Sequence, residues 1–134
     1  MAALTLEIVT PEKRIATIQA DEVRAPGIGG GFGIRRDHTP FMSRLEPGRL
    51  AVVGPEGERH FAIGGGFLQV ADNRVIVLAD SCEEREEIDV ARAERAFREA
   101  TERLRSLAEG DENYPDESAR VRRAAARLQV AGRG

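Results

Sequence analysis

The spacing of apolar residues changes once along this chain, close to Cys82, and a chain patterned that way must fold as two unlike parts. Upstream, Leu4, Leu6 and Ile8 alternate with Thr5 and Glu7, the period of two expected of a strand with one covered face. Short apolar runs follow at 15–18, 23–25, 50–53, 61–63, 67–70 and 75–79. Turn-forming residues separate them: Pro26-Gly27, Pro47-Gly48, Gly54-Pro55-Glu56-Gly57, Gly64-Gly65-Gly66 and Asp72-Asn73. Many short strands with turns at close intervals predict an all-β sandwich or flattened barrel over residues 1–84.

Downstream, Ala93, Phe97, Ala100, Leu104 and Leu107 recur at steps of four and three, which predicts a helix from about Glu87 to Ala108. Gly110 supplies a stop, and 109–115 reads as a polar connector. Asp116 and Glu117 suit the N-terminus of a second helix, on which Ser118, Val121, Ala125 and Leu128 form an apolar stripe. Two amphipathic helices joined by a short connector predict an antiparallel α-helical hairpin over 87–134. Alanines 93, 100, 124 and 125 bury little area, so the hairpin is expected to dock on the β part or to change shape on a partner.

The formal net charge of -3 carries no basic excess, which argues against a nucleic-acid partner. Arginines make up all but one of the 20 basic residues and are spread along the chain, a skew attributable to base composition. Cys82 is the single cysteine, so neither an internal disulfide nor a cysteine-rich zinc site is available. The first ten residues lack the basic head and apolar run of a signal peptide, and the apolar run at 75–79 is too short to span a bilayer. The expectation is a protein without direct membrane insertion.

The glycine clusters at 29–33 and 64–66 do not fit GxGxxG, and no Lys-Ser/Thr pair follows either, so tight turns and bulges are expected there. His38 and His60 lie in no metal-binding spacing, and His60 is expected in a strand with one ring face exposed. No nucleophile elbow is present, and no catalytic residue is assigned. Asp80, Glu83 and Glu84 read as a solvated linker rather than an acid/base pair.

An ordered set of phrases carries a family resemblance. They are Leu6-Glu7-Ile8-Val9-Thr10-Pro11-Glu12, Asp21 to Gly27, Gly31-Phe32-Gly33-Ile34, His38-Thr39-Pro40, Leu45-Glu46-Pro47-Gly48, Gly65 to Val70, and Val75 to Asp80 leading into Glu87 to Ala93. In that order, over residues 4 to about 100, the chain resembles the bacterial epsilon subunits of F-type (rotary) ATP synthase. The resemblance implies a non-catalytic central-stalk subunit at the cytoplasmic face of the bacterial inner membrane, coupling proton translocation to ATP synthesis. It implies three partners: a gamma subunit, the membrane rotor ring of c subunits, and the alpha/beta catalytic head, the last reached by the hairpin. It places Gly31, Phe32, His38, Thr39 and Pro40 at the end of the sandwich facing the rotor ring and gamma. It also implies that the hairpin inhibits ATP hydrolysis when extended.

Ile88-Asp89-Val90-Ala91-Arg92-Ala93 matches the Ile/Leu-Asp-x-x-Arg-Ala motif with which some family members bind ATP. No cofactor is required, and ATP is implied as a regulatory ligand. A carboxylate can accept from an adenine amino group and guanidinium groups can hold phosphate oxygens. Asp89 and Arg92 would be joined by Arg95 or Arg98 on the first helix and by Arg122, Arg123 and Arg127 on the second. The alternative is a helix start, with Asp89 favoured by the dipole and paired with Arg92 at the surface. Two further readings stay open: a free-standing small-molecule binding β-sandwich with a helical oligomerisation arm, and a small carboxylate hydrolase.

Overall fold

The computed structural model describes residues 4–132. Residues 1–3 and 133–134, the outer ends of the two expected ranges, lie outside the described residues.

Eight strands precede two helices. They are β1 (Leu4–Val9), β2 (Arg14–Ala20), β3 (Glu22–Gly27), β4 (Gly30–Arg35), β5 (Phe41–Gly54), β6 (Gly57–Ala71), β7 (Arg74–Ala79) and β8 (Cys82–Glu84). A 3-10 turn, Arg85–Glu87, leads to α1 (Val90–Arg105) and α2 (Tyr114–Val130). The fold is therefore a β-sandwich followed by a helical hairpin. α1 is shorter at both ends than its expected span, because Asp89 caps it at one end and the helix closes at Ser106, before Leu107 and Gly110.

Three expected turns are not turns. Pro26-Gly27 closes β3 in register with Gly30 and Gly31, and the chain turns at Ile28-Gly29. Pro47-Gly48 and Gly64-Gly65-Gly66 lie within β5 and β6, which pair with each other antiparallel along nearly their whole length, Pro47 standing opposite Gly64. The breakers bend these two long strands so that each serves both layers of the sandwich. The front half of β6 pairs with β8 and the back half with β7, while the far end of β5 pairs with β3. β1 joins β7 in parallel and carries β2 on its other edge. Gly65 and Gly66 take φ of +95° and +147°, and a β-carbon on Gly66 would stand 2.1 Å from the Leu78 carbonyl oxygen, so the bend requires glycine. The Asp72-Asn73 turn is as expected, with both residues at positive φ.

Alternation then builds the core. Leu4, Leu6 and Ile8 point inward with Val75 and Val77, Leu68 and Val70, Val23, Ile34, Leu50, Val52, Phe61 and Ile63, all in one cluster. β6 departs from alternation: Phe61 to Gly65 are buried without a break, because α2 covers the outer face of β5 and β6 there. α1 packs on α2.

That arrangement corrects the expected stripe of α2. Ser118, Val121, Ala125 and Leu128 are half-buried, whereas Glu117, Ala124, Ala126 and Val130 are the buried residues. α2 is covered on two sides. Glu117 and Ala124 belong to a stripe toward α1, where Arg103 bonds Glu117. Arg123, Ala126 and Val130 lie on the opposite side, where Arg123 reaches Gly64 and Val130 packs on Ala62. A single-stripe pattern cannot describe a helix packed between two neighbours.

Candidate functional site

The two regions singled out by sequence are the hinge with its docked hairpin, and one end of the sandwich. At the hinge, Ile88 is buried against Ala62 and Val130, with Val90 and Ala131 beside them. Asp89 is the N-cap of α1: its carboxylate accepts the backbone N–H of Arg92 at 3.1 Å. The expected surface pair between the two side chains does not form. The carboxylate is turned to the helix end, where backbone N–H groups lack intrahelical partners. Ala93 is buried in the helix seam, while Arg92, Arg95 and Arg98 are exposed on α1.

The arginines of α2 divide three ways. Arg122 and Arg123 line a cleft of about 540 Å3 together with Gly64–Gly66, Glu46 and Asp80. Arg122 also borders a second groove beside Phe97. Arg127 turns to the other flank, where its Nε bonds Glu83 at 2.5 Å. Ile88, Asp89, Arg92, Ala93 and Arg98 do not line the Arg122–Arg123 cleft. Arg92, Arg98, Arg122 and Arg123 form no ion pair among the described residues, whereas Arg127 does.

Glu83 and Glu84 are not a solvated linker. They form β8, and the two carboxylates are taken by Arg127 and Arg59 respectively, the latter through two bonds of 2.8 Å. The Arg59 guanidinium lowers the Glu84 carboxyl below the usual range against the opposing effect of burial. Cys82 beside them is pushed up to about 12, chiefly by burial and further by Glu87, Glu84 and Glu83, so its thiol stays protonated and inert. Among the described residues no group of His, Cys, Asp and Glu could hold a metal ion.

At the sandwich end, Phe32 on β4 meets Phe41 at the start of β5 edge to face, with ring centroids 5.2 Å apart. His38 lies against the same Phe41 at 5.6 Å, and its Nδ1 sits 2.7 Å from the Thr39 carbonyl oxygen. Phe32, His38 and Thr39 are thus brought together, with Gly31 and Pro40 adjacent in the chain. Phe41 was missed by sequence reasoning, although one of only five phenylalanines next to His38-Thr39-Pro40 was a usable signal. The loop is pinned by Asn73, whose Oδ1 accepts the Asp37 N–H at 2.7 Å. His60 lies in β6 as expected, but its ring is mostly covered rather than exposed on one face, with its Nε2 3.2 Å from Glu58.

Residues 3–85 match the family profile described as ATP synthase, Delta/Epsilon chain, beta-sandwich domain. Residues 86–132 match that described as ATP synthase, Delta/Epsilon chain, long alpha-helix domain. The chain is 66% identical over 131 residues to the ATP synthase epsilon chain of Anaeromyxobacter sp. strain K, covering 98% of this chain and 99% of that one. It is 47% identical over 131 residues to the ATP synthase epsilon chain of Myxococcus xanthus, covering 98% and 96%. Among solved structures it is similar to a chain of the Euglena gracilis mitochondrial ATP synthase OSCP/F1/c-ring assembly, with a TM-score of 0.72 at 22% identity, over 99% of this chain and 79% of that one. A chain of the Tetrahymena thermophila central stalk/c-ring assembly aligns with a TM-score of 0.58 at 18% identity, over 98% and 97%. At those identities the two structures share the fold.

Proposed function

We propose, from the premise that this chain belongs to the ATP synthase delta/epsilon family as one of its F-type epsilon chains, that it is a non-catalytic subunit of the rotary central stalk whose hairpin regulates ATP hydrolysis. The sandwich binds the gamma subunit and, through the Phe32–His38–Phe41 end, the rotor ring, and turns with them as proton flow drives synthesis. No helix among the described residues is long and apolar enough to cross a membrane. Attachment at the cytoplasmic face of the inner membrane is accordingly assigned to the partners.

The observation that carries the regulatory part is the thinness of the hairpin's attachment. The main core draws no residue from either helix, and the apolar cluster under α2 is small, Ala62, Ile88 and Val130 with two half-buried neighbours, beside which only the short side chain of Ala126 is buried on that side of α2. A body held so lightly can leave the sandwich and extend toward the alpha/beta head without unfolding what it leaves. Extended, it presents Arg120, Arg122, Arg123 and Arg127 to an acidic segment and blocks hydrolysis. The test is ATP hydrolysis by the assembled enzyme carrying either the full chain or residues 1–86. Higher hydrolysis with the truncated chain, with synthesis largely kept, supports the reading; equal rates across a range of salt overturn it.

A regulatory nucleotide is a second reading, resting on the Ile88-Asp89-x-x-Arg92-Ala93 motif at the hinge and on the unpaired Arg98, Arg122 and Arg123. A nucleotide reaching Arg127 would displace Glu83. Calorimetry on the isolated chain decides it, comparing Asp89→Ala with Arg92→Ala against a double variant using Asp89→Ser, which keeps the helix cap. Losing both charged contacts is expected to weaken ATP binding at least about tenfold. No heat at millimolar ATP with the unaltered chain removes the nucleotide from the mechanism.

A further inference from the structure

We infer that the folded position of the hairpin is set by a polar clasp in which Arg49 and Arg85 hold the carbonyl end of α2. The inference rests on the reading above that the hairpin can leave the sandwich.

The last carbonyls of a helix lack intrahelical donors and carry the negative end of its dipole. In α2 two of these are Gln129 and Val130, and each receives a guanidinium, one from the sandwich and one from the turn that follows it. The Arg49 Nη2 of β5 donates to the Gln129 carbonyl at 2.8 Å, and the Arg85 Nε of the connecting turn donates to the Val130 carbonyl at 2.7 Å. One turn back, Arg127 reaches in the opposite direction to Glu83. Three charge-assisted contacts thus converge on the last turn of α2, beside an apolar contact whose buried members are Ala62, Ile88 and Val130.

Position in the chain gives the clasp its consequence. Glu83, Arg85 and Ile88 all belong to the segment that leads into α1, yet each of them touches the end of α2. α1 itself packs on α2 while α2 lies on β5 and β6. Swinging α1 about residues 85–89 therefore strains Arg85 against Val130, and α2, which is packed on α1, is drawn off with its Arg127 while Glu83 stays in β8 against β6. Both ends of the hairpin let go together, and the folded state weakens as salt screens the contacts.

The test is amide hydrogen exchange on the full-length chain, comparing the unaltered protein with Arg49→Ala, Arg85→Ala, the double variant, Arg85→Lys and, as a control, Arg98→Ala. Each alanine change at the clasp is expected to speed exchange across α2 on the order of tenfold, the double variant by more, with α1 following α2. Arg98→Ala leaves exchange unchanged, and Arg85→Lys recovers part of the protection. Rising sodium chloride loosens α2 in the unaltered chain and has less effect on the double variant. Unchanged protection of α2 in the double variant overturns the clasp. So does loss of protection in β1 and β7, which would make these arginines part of the sandwich's own stability; Glu83→Gln, which weakens the third contact from the same segment, must then loosen α2 alone for the clasp to survive. An assembled enzyme whose hydrolysis ignores the hairpin overturns the functional reading and leaves the clasp standing.

Discussion

Arg103 Nε lies 3.1 Å from both carboxylate oxygens of Glu117, so one guanidinium of α1 holds one nearly buried carboxylate of α2. Arg120 adds a bond of 2.6 Å from the following turn of α2. Ala93, Ala100 and Ala124 are the buried apolar residues of the same seam. The pairing explains how a charged residue comes to be buried on a helix whose periodicity placed Ser118, Val121, Ala125 and Leu128 on the covered side.

Acid should loosen the hairpin through this group. Burial pushes the Glu117 carboxyl up, but Arg103 and Arg120 outweigh it, and the net position is below the ordinary value of 4.5. A carboxyl lowered in the folded state contributes stability that is fully present above 4.5 and lost as pH falls through its folded value. Exchange of α1 and α2 amides is expected to rise in that acid window while β1 and β7 hold. In Glu117→Gln the hairpin is looser at neutral pH and the acid step from this site is gone. A Gln variant with the full acid step places the titration elsewhere.

Gly66→Ala is expected to destabilise the sandwich by on the order of 3 kcal/mol, from a strained φ and a backbone clash at Leu78 that no side-chain rotation relieves. Gly110→Ala, with nothing within 4 Å of the added carbon, changes stability by less than about 1 kcal/mol. Thermal melts of the two variants check the contrast; similar melts would remove the steric account of the β6 bend.

Residues 1–86 should fold alone. The main core contains no described residue beyond Cys82, and truncation uncovers the outer face of β5 and β6 around Ala62 and Gly64. Circular dichroism with exchange on the truncated chain is expected to show a protected β1–β7–β6 core. An unfolded truncated chain would make the hairpin part of the sandwich's fold.

Cys82 should resist alkylation at pH 8 in the native chain and react at least roughly a hundredfold faster in denaturant, since a thiol at about 12 leaves far less thiolate than a free one. Iodoacetamide kinetics followed by mass measurement give the ratio. Equal rates would place the thiol in solvent.

What the sequence determined by itself is what periodicity and local chemistry encode. The inward set Leu4, Leu6 and Ile8, the change of repeat at Cys82, and the order of phrases from Leu6 to Ala93 were enough for the two-part fold and its family. The turn at Asp72-Asn73 was legible because its backbone conformation is a local property. Tertiary structure decided what depends on partners remote in the chain. Pro47-Gly48 and Gly64–Gly66 carry the local signature of turns, and only their pairing across β5 and β6 makes them bends in continuous strands. The buried faces of α2 depended on its lying between α1 and the sheet. The divergence of Arg122 and Arg127 followed, because residues five apart on a helix point to different flanks and meet different neighbours, a cleft for one and Glu83 for the other. Arg49 and Arg85 carried no sequence signal at all, because their acceptors are backbone carbonyls that every residue possesses and only docking brings within reach.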